Sequence, residues 1–173
     1  MNNRQNNITK ETLETSKMKD LFGANYTKIL YFNFDNNQWN RSDYLGFSTG
    51  NQSTDTVQAN KFRNTLQPRL SKFGFEIVAT ITMAVSDSEY PGTNKSTTNT
   101  PSYKRANNII GTVILRDKAT GKILKPNTWI GINKYQLMST AAFFGANDFM
   151  YRICINKQIR DNFIKTILAQ RQR

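Results

Sequence analysis

Phe75-Glu76-Ile77-Val78-Ala79-Thr80-Ile81-Thr82-Met83-Ala84-Val85 is the stretch on which the fold turns. It contains no Gly or Pro and is rich in β-branched residues, so it predicts a strand. Phe75, Ile77, Ala79, Ile81 and Met83 fall on one face at a spacing of two. Gly74 stands just before it and stops a helical pattern in which Phe62, Leu66, Leu70 and Phe73 recur. Thr54 or Asp55 caps that helix, and Pro68 predicts a bend or restart within it.

Working outward, residues 28–35 alternate, with Ile29, Tyr31 and Asn33 on one side and Leu30, Phe32 and Phe34 on the other. Asn36-Asn37 suits a turn, because Asn tolerates positive φ, and residues 38–47 return as a strand carrying Trp39, Tyr44 and Phe47. Residues 109–116 form another strand, followed by a hairpin loop at 117–122 with Gly121 at the left-handed position. Ile123 and Leu124 begin the return, Pro126 interrupts it, and residues 128–132 resume it. Helices are expected at residues 9–22 behind Thr9, at 134–146 behind Asn133, and after Asn156. Residues 149–155 fit a strand, with a helix as the alternative. Ile159, Phe163, Ile164, Ile167 and Leu168 give the last helix a buried stripe and leave a basic outer face. The fold class is therefore α+β: antiparallel hairpins forming a sheet, helices packed on one face, and a basic C-terminal helix. Residues 1–8 make a flexible arm, and residues 9–173 make one domain with a long polar loop at 86–108.

Charge is the strongest functional signal. The chain has 24 Lys and Arg against 12 Asp and Glu, a net charge of +12. Residues 91–173 hold 14 of the basic side chains and 3 of the acidic ones. Such asymmetry points to a polyanionic partner, because neutralised phosphates release counterions on binding. Its alternative is a surface that merely solubilises.

Several function classes fall away. There is no His, so His-based triads and His metal sites are excluded, and one Cys excludes zinc fingers and an intramolecular disulfide. Cys154, between Ile153 and Ile155, suits a small buried apolar role. Neither a phosphate-binding G-x-x-x-x-G-K-[ST] loop nor a G-x-G-x-x-G is present, and no cofactor is implied. Asp35, Asp43, Asp55 and Glu76 are the candidate ligands for a metal-dependent nuclease, but surface solvation and capping explain them more simply. The expectation is a binding protein rather than an enzyme. No run approaches the ~18 apolar residues of a membrane span, and residues 1–7 lack the apolar core of a signal peptide. A cytoplasmic or virion-associated protein, not secreted and not in a membrane, is expected.

The binding candidates pair cations with rings, as proteins that hold single strands do. They are Trp39 with Arg41 and Tyr44; Tyr103, Lys104 and Arg105; Trp129 beside Lys125 and Lys134; and Tyr151 with Arg152. Arg116, Lys118, Lys122 and Lys125 flank one hairpin as a cationic finger, or as an ordinary charged turn. Trp129 suits the core as well as a stacking platform. The strand at 128–132, followed by Asn133 capping a helix with Leu137 and Met138, resembles the sheet-then-helix ending of Whirly-type single-stranded-DNA-binding proteins. The likeness is architectural and covers a short stretch, without that family's Lys-Gly-Lys-Ala-Ala-Leu signature. Together these features favour single-stranded DNA or RNA binding, or annealing, in replication or recombination, by an oligomeric protein. A virion structural subunit lying next to nucleic acid is the alternative, and a metal-dependent nuclease the second.

Overall fold

The computed structural model describes residues 8–40, 52–85, 108–126, 130–133 and 146–171. The described elements are α1 (Thr15–Phe22), a 3-10 turn (Gly23–Lys28), β1 (Ile29–Asn33), β2 (Gln38–Trp39), α2 (Gln52–Ser71), β3 (Phe75–Val85), β4 (Asn108–Asp117), β5 (Ile123–Leu124), β6 (Ile130–Asn133), α3 (Ala146–Ile155) and α4 (Lys157–Arg171). All the described strand pairs are antiparallel, in the order β2-β1-β3-β4-β5, and β6 pairs with the far end of β4. The chain is thus an α+β protein with an antiparallel sheet, flanking helices and a C-terminal helix carrying basic residues.

Both faces of the sheet are covered. On one, Phe32, Ile77, Val113 and Leu115 pack with Phe62, Leu66 and Leu70 of α2, Met150 and Ile153 of α3, and Phe163 and Ile167 of α4. On the other, Ile29, Tyr31, Ile81 and Ile114 pack with Leu13 and with Met18 of α1. Helices therefore lie on both faces, not on one alone. This explains why β1 is buried at every residue rather than at every second one.

The strand that opened the sequence reading forms over the expected span, but its faces switch partway. A register shift between Ile77 and Ala79 against β4 makes Val78 the extra residue of a β-bulge. Phe75 and Ile77 consequently face α2, while Val78, Ala79, Ile81 and Met83 face α1. The groups displaced by the bulge find partners. The Ile77 N–H donates to Gln67 Oε1 at 2.8 Å, and the Val78 carbonyl accepts from the Phe34 N–H at 2.8 Å.

Three expected elements differ. Residues 9–14 are an extended strap rather than helix, and Glu14 takes the N-cap position of α1. The cause is tertiary: the sheet uses both the N–H and the carbonyl of Glu11, leaving neither for a helical turn. Residues 149–155 belong to α3, because Met150 and Ile153 are buried while Tyr151 and Ile155 are exposed, a helical and not an alternating pattern. The helix α2 runs unbroken through Pro68, whose exposed position lets water take the carbonyl that lost its donor. Asn37 and Gly121 have the positive φ expected of them, at 60° and 74°. The Asn156 side chain accepts from the Ile159 N–H at 3.0 Å, so it caps α4 as expected. The helix expected at 134–146 lies outside the described residues except for Ala146, and most of the loop at 86–108 and of the N-terminal arm lies outside them too.

A helix-interior proline at an exposed site should remain a stability cost. Pro68→Ala is expected to raise the unfolding free energy by about 2 kcal/mol in urea denaturation. A loss of stability would mean that the proline ring is needed where it stands.

Candidate nucleic-acid interface

One end of the sheet gathers cations around an exposed ring. The apolar stripe of α2 ends at Leu70, which is fully buried. The chain then closes the helix with two turn bonds, Phe73 N–H to the Leu70 carbonyl at 3.0 Å and Gly74 N–H to the Ser71 carbonyl at 3.1 Å. Gly74 has φ 86°, a left-handed conformation open to glycine, and the chain reverses there into β3. Phe73 is left outside the stripe it was expected to join, with 53% of its surface exposed. Lys72 beside it is exposed as well.

The β4–β5 hairpin meets this turn directly. The Asp117 side chain accepts from the Ala119 N–H at 2.8 Å, and the Gly121 N–H donates to the Asp117 carbonyl at 2.7 Å, so the loop is held from within. The Lys118 N–H donates to the Gly74 carbonyl at 2.8 Å, which brings the two turns together. Lys72, Phe73, Lys118 and Lys122 thus project from two adjoining turns, and all four are exposed. Phe73 and Lys72 were missed in the sequence because the helical spacing carries on to Phe73; the signal against it was Gly74 immediately after.

Arg116 is not an exposed member of this cationic finger. It is 2% exposed, and it anchors the strap. Its Nε and Nη2 both donate to the Glu11 carbonyl, at 3.1 and 2.9 Å. It pairs with Glu76, its cross-strand neighbour, at 2.8 Å, and with Asp35 through Nη2. Lys10 adds a weaker pairing with Glu76 at 3.7 Å. The guanidinium is the one cation whose planar fork can serve a carbonyl and two carboxylates at once. Two of the candidate metal-ligating acids, Asp35 and Glu76, are therefore brought together around an arginine. Asp55 is buried elsewhere, at the start of α2, and Asp43 lies outside the described residues. Among the described residues no three such ligands converge.

The remaining candidates are dispersed. Trp39 is half-buried: its ring packs on Phe32 with centroids 4.9 Å apart, and its N–H donates to the Thr56 hydroxyl at 2.9 Å. Tyr151 is 46% exposed and Arg152 half-buried, both on α3, and Lys125 is exposed after β5. Arg41, Tyr44, Tyr103, Lys104, Arg105, Trp129 and Lys134 lie outside the described residues. The basic face of α4 is partly committed to structure. Arg160 donates to the carbonyls of Ile153 and Cys154 at 2.9 and 3.0 Å, capping α3, and Asp161 links Lys157 to Arg69 of α2. No helix of the described residues is long and apolar enough to cross a membrane.

These ion pairs set a pH dependence. The Ile123 N–H holds the Glu11 carboxyl below its ordinary value against the cost of burial, with Lys17 assisting. Burial raises the Glu76 carboxyl, but the Arg116 hydrogen bond and the charges of Lys10, Arg116 and Lys118 together bring it below its ordinary value. Hydrogen bonds from Lys157 and Arg69 lower Asp161. A depressed folded pKa means that the unfolded chain binds more protons in this range. The stabilisation is thus complete above the ordinary carboxylate values and is lost as pH falls through the lowered ones. Acid titration of wild type should show that loss, and Glu11→Gln should make it shallower; an unchanged acid limb would contradict the pairing. Arg116→Met should cost about 3 kcal/mol in urea denaturation, the low end for a broken buried pair, since Asp35 and Glu76 keep about a third of their exposure.

No protein-family model, curated protein or solved structure matches this chain.

Proposed function

We propose that this chain binds single-stranded nucleic acid across the end of the sheet where the α2–β3 turn meets the β4–β5 hairpin. The observation that carries the reading is Phe73, a large ring left over half exposed between Lys72 and the tethered Lys118. The exposed ring offers an unstacked base a π-face to rest on. Lys72, Lys118 and Lys122 supply phosphate contacts at the same end, and the +12 net charge supplies long-range attraction. Stacking favours a single strand, because bases within a duplex already have stacking partners. Such a protein would protect or anneal strands exposed during replication or recombination.

The test is equilibrium titration of fluorescent single- and double-stranded oligonucleotides of equal length at several salt concentrations. Wild type should prefer the single strand. Phe73→Ala should weaken that binding by about 1–3 kcal/mol with little change in salt slope, as expected for one stacked base. Lys118→Ala and Lys122→Ala should each flatten the slope by about 0.7, as expected for one phosphate contact on a single strand. Equal, weak binding to both forms, unmoved by Phe73→Ala, would refute the stacking site.

A further inference from the structure

We propose that the N-terminal strap is an intramolecular competitor for this interface: Glu11 occupies the anion-recognising groups of the β4–β5 hairpin, and a nucleic-acid phosphate displaces it. The proposal rests on the nucleic-acid reading above and adds a regulatory contact to it.

Glu11 is bound as an anionic ligand would be. Its carboxylate accepts from the Ile123 backbone N–H at 2.6 Å and from Lys17 at 3.3 Å. Its carbonyl sits in the fork of Arg116, and its N–H donates to the Gly121 carbonyl at 2.8 Å. The positive charge of Lys122 bears on the same carboxylate. Gly121 O belongs to the hairpin loop and Ile123 N–H to the sheet-edge strand β5, so Glu11 meets both the loop and the edge. Gly121 is needed for this approach: a Cβ there would lie 2.3 Å from the Thr9 carbonyl oxygen.

The hold is polar, which makes it exchangeable. Of the strap's apolar side chains, Leu13 is buried but Ile8 remains 43% exposed. If residues 8–12 lift while Leu13 stays seated, the hairpin regains the Ile123 N–H and the full charge of Lys122, while Arg116 stays paired with Asp35 and Glu76. That set suits a phosphate, which offers several acceptor oxygens to a backbone N–H and an ammonium group. The strap then trades one carboxylate for one phosphate, and its own affinity for the hairpin subtracts from that of the strand.

Three proteins decide it: wild type, Glu11→Ala, and Glu14→Ala. The last removes the same charge from an exposed neighbouring site that the hairpin does not hold. Each is titrated with a fluorescent oligo-dT, and exchange of the Ile123 amide is followed by NMR. Glu11→Ala should bind about fivefold more tightly than wild type, the low end of coupling between two sites, and Glu14→Ala should stay close to wild type. The Ile123 amide should exchange faster in Glu11→Ala alone and be protected again by the oligonucleotide. Equal tightening by both variants, or no tightening by Glu11→Ala, would overturn the competition and leave the nucleic-acid reading standing. If no variant binds oligo-dT, that reading fails; inorganic phosphate is then the probe. It must shift the Ile123 amide of Glu11→Ala at lower concentration than that of wild type, or the competition fails too.

Discussion

A single buried cation organises this end of the molecule. Arg116 stands on β4 directly across from Glu76 of β3, with Asp35 reaching it from the end of β1 and the Glu11 carbonyl closing over it. A guanidinium cannot be left in that position without partners, so burying it requires all of those segments to converge. The strap cannot form helix while Glu11 serves the arginine and the edge of β5. The strands β3 and β4 cannot slip past one another without parting Glu76 from Arg116, nor can β1 without drawing Asp35 away.

With the arginine taken up by Asp35 and Glu76, the proposed interface is built from the cations that remain exposed. The lysines of the hairpin loop and of the α2–β3 turn are exposed, while Arg116 is buried against Asp35 and Glu76. Phe73 is exposed because α2 stops at Ser71, and the reversal through Gly74 carries Phe73 past the last buried position. The proposed binding of an extended polyanion with flat bases draws on these exposed cations and the ring beside them.

Much of the fold was legible because local pattern and tertiary role agree. The alternation at residues 28–35, the β-branched run at 75–85, the hairpin at 117–122 and the cap at Asn156 all emerge where the side chains say they should. What escaped the sequence depends on distant partners. Ile77, Val78 and Ala79 are all apolar, so nothing local says which of them is the extra residue; Gln67 and Phe34 decide it. Residues 149–155 offer both periodicities, and the bodies of α2 and α4 choose the helical one. Arg116 looks like a hairpin cation until β3 supplies Glu76, 40 residues away. Of the proposed interface, Lys118 and Lys122 are candidates that the sequence also offers, whereas Phe73 is hidden by a helical spacing that carries one step beyond the helix.

Ultraviolet crosslinking shows whether a nucleic-acid strand lies across the joined turns. Protein irradiated with a single-stranded oligonucleotide should yield crosslinked peptides from the Lys72–Gly74 turn and the hairpin around Lys118 and Lys122. Crosslinks confined to α1 and the 3-10 turn on the opposite face, with none on either joined turn, would contradict it.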